Sequence, residues 1–256
     1  MNVETILGNL SVNGFEMYYQ VIGEGEPLLI LHGFTGSGAD LVRLFSNMGD
    51  KFKLIIPDLR GHGQSTNPSK QFTFKQAALD TIALLEHLNI SQCKAIGFSG
   101  GGCTLLQMAF IRPDLIQSMV LVSAAPYFPE NAKLIMKAYA QGEKTQAQWE
   151  ALRNIHTHGD EQINLLFEHA ASFGEDPNDM KFTPEMLSKI STHTLVVQGD
   201  KDAFYPLDLT ISLYQSLPNA NLWILPNSGH VPISPDNVIL FQEYALGHFH
   251  YLKKDS

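Results

Sequence analysis

Short apolar runs recur along the chain at residues 28–31, 54–56, 95–98, 119–123, 195–198 and 222–225. Runs of this length without alternation are what strands produce when a parallel sheet is covered on both faces. Between them the pattern changes to a helical period. Leu41, Val42, Leu44, Phe45 and Met48 mark a helix over residues 39–48. Phe74, Ala77, Ala78, Thr81, Leu84, Leu85 and Leu88 place a buried stripe on a second, over residues 73–88. A nearly all-apolar helix over residues 102–112 stops at Pro113. Residues 8–22 read as a hairpin turning at Asn13-Gly14, a dipeptide that accepts the positive φ angles of a tight primed turn. Strand–helix alternation after an antiparallel start predicts an α/β fold with a doubly wound, mostly parallel sheet.

One interval breaks this rhythm. Residues 126–188 carry no strand pattern but three helical segments, at 131–141, 146–158 and 161–173. A structureless loop of that length does not suit a compact domain. The interval therefore reads as a helical cap inserted into a core formed by residues 1–125 and 189–256. It is rich in large apolar groups, namely Tyr127, Phe128, Met136, Tyr139, Trp149, Leu166, Phe167, Phe173 and Met180. Most are expected to pack the cap onto the core and a minority to face a cleft.

Composition narrows the function classes. With 256 residues, 44% of them hydrophobic and 17% charged, the chain has enough material for one large domain carrying an insertion. A formal charge of −9 argues against nucleic acid as a main partner, since phosphate binding needs a basic face. No apolar run is long enough to span a bilayer. The opening Met1-Asn2-Val3-Glu4-Thr5 lacks the positive start and apolar stretch of a secretory signal, so cytoplasmic residence is expected. The two cysteines, Cys93 and Cys103, show no metal or disulfide spacing, and Cys103 reads as a buried small side chain.

The candidate chemistry sits between strand and helix. Gly97-Phe98-Ser99-Gly100-Gly101 follows the run at 95–98 and opens the helix that reaches Arg112. A G-x-S-x-G in that context is a nucleophile elbow, a strained turn in which bulkier neighbours collide and the serine hydroxyl is lifted above the sheet. Downstream, the run at 195–198 ends in Gly199-Asp200-Lys201-Asp202, and Ser228-Gly229-His230-Val231-Pro232 follows the run at 222–225. Both aspartates lie past the carboxyl end of a strand, the edge on which open α/β sheets bind ligands. A further apolar strand, at 28–31, runs into His32-Gly33-Phe34.

The order serine, aspartate, histidine, together with His32-Gly33-Phe34 and Asp58-Leu59-Arg60-Gly61-His62-Gly63-Gln64-Ser65, resembles the α/β-hydrolase superfamily over nearly the whole chain. The resemblance implies a sheet of about eight strands with a helical cap. It makes Ser99 the nucleophile and His230 the base. It places the acid third after Gly199, at Asp202 rather than Asp200. The oxyanion hole would use the backbone N–H groups of Phe34 and Gly100. His32, His62 and the segment around Asp58, Arg60 and Ser65 would hold loops, the last through its own hydrogen bonds. His156, His158, His169, His248 and His250 fall on predicted helices with no motif around them.

These expectations point to a serine hydrolase that cleaves a small-molecule carboxylic ester through an acyl-enzyme, with no cofactor and no metal. A serine nucleophile argues against the haloalkane dehalogenases and epoxide hydrolases of the superfamily. Its carbon–carbon bond hydrolases usually carry tryptophan after the histidine and an arginine in the cap. Here Val231 follows His230 and Arg153 is the sole cap arginine. Cofactor-free haloperoxidases usually have methionine where Gly100 stands. A lactonase or a carbon–carbon bond hydrolase on the same machinery, and a ligand-sensing receptor that keeps the fold, are the rival readings.

Overall fold

The computed structural model describes residues 4–176 and 179–251. The expectation for the extreme N-terminus, and two positions of the expected cap (Pro177 and Asn178), lie outside the described residues.

Eight strands form one sheet. They are β1 (Thr5–Val12), β2 (Phe15–Ile22), β3 (Glu26–Leu31), β4 (Phe52–Pro57), β5 (Cys93–Phe98), β6 (Ile116–Val122), β7 (His193–Gly199) and β8 (Ala220–Leu225). Their spatial order is β1-β2-β4-β3-β5-β6-β7-β8. The first hairpin is antiparallel to its neighbours, and all pairs from β4 to β8 are parallel. Asn13 and Gly14 both take positive φ, 45° and 80°, as the two-residue turn requires.

Two apolar layers cover the sheet, and period-2 alternation sorts the strand residues between them. Leu28 and Ile30 of β3 face the layer closed by α1 (Gly38–Phe45) and α9 (Val238–Tyr251), where Leu41, Phe45, Phe241 and Phe249 are buried. Leu29 and Leu31 face the opposite layer, closed by α2 (Phe74–His87), α3 (Gly100–Ile111) and α8 (Leu207–Ser216). With all four residues sealed from solvent, β3 reads as an unbroken apolar run.

Helix α2 begins where its sequence specifies, with the Thr73 hydroxyl accepting from Gln76 N at 3.0 Å. Every residue of the expected stripe is buried except Leu88, which is half-buried. The first predicted helix is shorter than its pattern: α1 ends at Phe45, and the buried Met48 belongs to a 3-10 turn over Ser46–Asp50. By contrast α3 starts earlier than expected, at Gly100. Three successive glycines are poor helix formers, but here contacts demand them. A Cβ at Gly101 would collide with the carbonyl oxygen of Leu31, and one at Gly102 would come within 2.6 Å of Ala124.

Between β6 and β7 lie α4 (Glu130–Gln141), α5 (Gln146–Ile155), α6 (Asp160–Ala171) and a short α7 (Pro184–Leu187) that the hydrophobic pattern had not indicated. The two ends of this helical segment meet, because Tyr127 bridges Lys181 and Phe182 N donates to Pro126 O at 2.9 Å. Helix α5 stops three residues before the predicted end at 158, since His156 leaves helical geometry for an extended conformation. No helix among the described residues is long and apolar enough to cross a membrane.

Candidate active site

The strand order reverses around β3: β4 lies on one side of it and β5 on the other. Chain segments leaving the carboxyl ends of β3 and β5 diverge there and open the crevice where α/β sheets place ligands. Phe34 follows β3 and Ser99 follows β5, so both stand at this crevice.

Ser99 has φ 48° and ψ −112°, a strained conformation for a residue with a side chain. The turn is tight enough that a Cβ at Gly97 would lie 2.7 Å from the Gly101 backbone. The structure brings His230 to the serine, with Nε2 2.8 Å from Ser99 Oγ. On the other side of the ring, Nδ1 lies 2.7 Å from Asp202 Oδ2. A carboxylate can only accept, so Nδ1 carries the proton and Nε2 is free to accept from the serine hydroxyl.

The Asp202 side chain is sealed from solvent and fully satisfied. Its Oδ1 accepts from Phe204 N at 2.7 Å and Tyr205 N at 3.1 Å, and Oδ2 also accepts from Gln198 Nε2 at 2.6 Å. Asp200 points elsewhere and accepts from Ser228 N at 3.0 Å. In the sequence Gln198 only ends the apolar run at 195–198. Its amide reaches the carboxylate because it sits on β7 four residues before Asp202, a relation that no local motif announces.

The Phe34 and Gly100 backbones meet beside Ser99. A Cβ on Gly100 would stand 3.2 Å from Phe34 N. Among the described residues, neither N–H finds an acceptor in the backbone network outside regular elements. His32 orients one of them. Leu59 N donates to His32 Nε2 at 3.0 Å, so Nδ1 holds the proton and donates to Gly33 O at 2.8 Å. Gly36 N donates to the same oxygen at 3.0 Å. Because the peptide is planar and trans, fixing the Gly33 carbonyl points the Phe34 N–H the opposite way.

Aromatic rings run from this turn to the histidine. Phe34 packs on Phe173 at 4.5 Å between ring centroids, Phe173 stacks on Phe128 at 5.1 Å, and Phe128 approaches Tyr205 at 6.4 Å. Tyr205 and Phe204 flank the His230 ring at 5.4 and 4.5 Å. Val231 is 79% exposed at the rim. Trp149 lies apart, against Phe167 in a satellite cluster of the helical segment. Arg153 forks onto Asp160 at 2.7 and 2.8 Å on the outer surface and does not join this arc.

Two expectations need correction. The loop after β4 is not held by its own hydrogen bonds alone. Asp58 does accept from Gln64 N at 2.8 Å, and Ser65 Oγ donates to Asp58 O at 2.7 Å. Arg60, however, forms a buried two-point pair with Asp80 of α2, at 2.9 Å for each contact, and donates to Asn13 O of the hairpin turn. His156 also lies just past the end of α5 rather than on a helix, and its ring bonds two core loops. Cys93 and Cys103 are buried free thiols, which burial pushes up to about 12.

A family profile described as alpha/beta hydrolase fold matches residues 26–186. The chain belongs to this family. It is 29% identical over 233 residues to the serine hydrolase BPHL of Mus musculus, covering 86% of this chain and 79% of that protein. Among solved structures it resembles the 2-hydroxy-6-oxo-6-phenylhexa-2,4-dienoate hydrolase of Rhodococcus, with TM-score 0.79, 19% identity, and 97% and 99% of the two chains covered. The enol-lactonase of Burkholderia xenovorans superposes with TM-score 0.75 at 20% identity, covering 96% and 100%. At such identities the two superpositions establish the fold, and the hydrolase class comes with the family.

Proposed function

We propose that this α/β-hydrolase cleaves carboxylic esters through an acyl-enzyme on Ser99, with His230 as base and Asp202 as orienting acid. The observation that supports this reading is the unbroken line from Ser99 Oγ through His230 to Asp202, with steps of 2.8 and 2.7 Å, on a strained elbow. In the first half-reaction Ser99 Oγ attacks the ester carbonyl while His230 Nε2 takes its proton. The N–H groups of Phe34 and Gly100 donate to the carbonyl oxygen as it gains negative charge. His230 then returns the proton to the departing alcohol. In the second half it deprotonates water, which attacks the acyl-enzyme and releases the acid. Asp202 keeps the imidazole in the tautomer that accepts from serine and stabilises the imidazolium.

The segment 126–188 serves as a cap over this site. Phe34, Phe128, Phe173, Phe204 and Tyr205 carry no charge, which favours an apolar acyl group over a charged one. Turnover of p-nitrophenyl esters tests the reading together with Ser99→Ala and a fluorophosphonate probe. Ester hydrolysis is expected to fall by at least ~10³-fold in the folded variant, and the probe is expected to label Ser99 alone. Undiminished hydrolysis by Ser99→Ala, or a wild-type protein that binds esters without turning them over, would overturn it.

A further inference from the structure

One imidazole joins three segments that are distant in sequence. His156 follows the last residue of α5 and is 1% exposed. Its Nδ1 accepts from Gly63 N at 3.0 Å, in the loop after β4. An amide can only donate, so the ring proton sits on Nε2, which donates to Thr35 O at 3.1 Å.

Thr35 belongs to the turn that presents Phe34. The Gly36 N to Gly33 O bond makes Phe34 and Thr35 its two central residues, and Thr35 has φ 64°. Positive φ at the second central residue and not at the first is the type II pattern, which takes glycine or asparagine there. A β-branched residue in this region is strained and persists only where its surroundings hold it. Relaxation of Thr35 to negative φ would turn over the peptide between Phe34 and Thr35 and shift Phe34 with it. His32 clamps the Gly33 end of the turn, and His156 clamps the Thr35 end.

The bend that carries His156 is anchored to the core. Thr157 N donates to Gly63 O at 3.1 Å, and Gln162 Nε2 donates to Gly61 O at 3.1 Å and Gly63 O at 3.0 Å. His62 packs edge-on to Phe34 at 4.7 Å, with the His156 ring 6.2 Å beyond it. Helical insertion, post-β4 loop and Phe34 turn thus form one hydrogen-bonded unit.

We propose that His156 is a positioning residue for the oxyanion turn, holding the strained Gly33–Gly36 backbone so that Phe34 N–H faces the Ser99 oxygen. This rests on the reading of Phe34 and Gly100 as oxyanion donors. The insertion then has two duties. Phe128 and Phe173 wall the substrate side, and the bend at residues 156–162 supports the chemistry itself.

The test compares His156→Leu and His156→Gln with wild type on p-nitrophenyl acetate and hexanoate. Inhibition by a trifluoromethyl ketone, which adds to a serine as a tetrahedral oxyanion, is measured alongside. Loss of both ring hydrogen bonds in His156→Leu is expected to lower kcat about 10- to 100-fold on both esters, because a misplaced donor fails mainly in the transition state. KM is expected to move less than about twofold, and the ketone to weaken by the same factor as kcat. Glutamine presents an acceptor and a donor on one amide and is expected to recover most of the loss. His156→Asn, too short to reach both partners, reads the same loss if the leucine variant does not fold. A folded variant whose kcat and ketone affinity stay within about twofold of wild type, or in which only KM rises, would overturn the positioning role. Absence of ester turnover in the wild type, or its survival in Ser99→Ala, would instead sink the enzyme reading and this inference with it.

Discussion

His230 Nδ1 lies 2.7 Å from Asp202, while Asp200, two residues earlier on the same loop, turns its carboxylate to the Ser228 amide. Only Asp202 can fix the imidazole tautomer. Asp202→Asn is therefore expected to reduce kcat by on the order of 10³- to 10⁴-fold, with Asp200→Asn within about tenfold of wild type. Steady-state kinetics on one short ester ranks the two, and the reverse ranking would move the acid to Asp200.

Phe173 and Trp149 were equal candidates for a substrate wall in the sequence, and their neighbours separate them. Phe173 touches Phe34, whereas Trp149 packs on Phe167 within the helical segment. Phe173→Ala is expected to shift the preferred acyl length toward longer chains while acetate turnover persists. Trp149→Ala is expected to leave the chain-length profile unchanged and to lower stability, by less than the ~3–5 kcal/mol of a fully buried aromatic. Chain-length profiles recorded beside melting curves distinguish the two.

Asp80 neutralises Arg60 in a buried pair and also accepts from Asn13 and Gln76 side chains. Asp80→Ala leaves an uncompensated guanidinium between the hairpin, α2 and the post-β4 loop. A loss of about 3–5 kcal/mol is expected in urea denaturation. Replacing Arg60 and Asp80 together by apolar residues is expected to cost less than Asp80→Ala alone.

Acid should unfold this protein through its buried histidines. Burial lowers His156, which faces His32 and Asp40, from 6.5 to about 4. Burial, assisted by the stacked His193 ring, does the same to His248. Their folded-state values lie below the unfolded one, so the unfolded chain binds more protons in this window. Stability is therefore complete above pH ~6.5 and falls as pH drops toward ~4, by roughly 3 kcal/mol for each group. Melting temperature measured across this range is expected to decline with falling pH, less steeply in His248→Gln. A melting temperature flat between pH 7 and 4 would contradict it.

His230 Nε2 stands 2.8 Å from Ser99 Oγ. His230→Gln is expected to lower fluorophosphonate labelling of Ser99 by at least ~10³-fold, and an undiminished labelling rate in the folded variant would exclude His230 as the base.

Local rules made much of this protein legible before its fold. Asn13-Gly14 specified the hairpin because few other dipeptides accept two positive φ angles. The sealed run of β3 and the stripe of α2 specified elements because burial repeats at the period of the backbone. Ser99, Asp202 and His230 stood out because an elbow and two strand-end loops carry local signatures. The sequence by itself thus determined the sheet, the candidate site residues and the presence of three helices, α4, α5 and α6, between β6 and β7. Tertiary structure decided what has no local signature. Arg60 pairs with Asp80 twenty residues away, and His156 crosses from the end of α5 to Thr35 over 121 residues. Such bonds depend on where distant backbones pass one another, and a lone histidine after a helix looks the same whether it meets water or a strained turn.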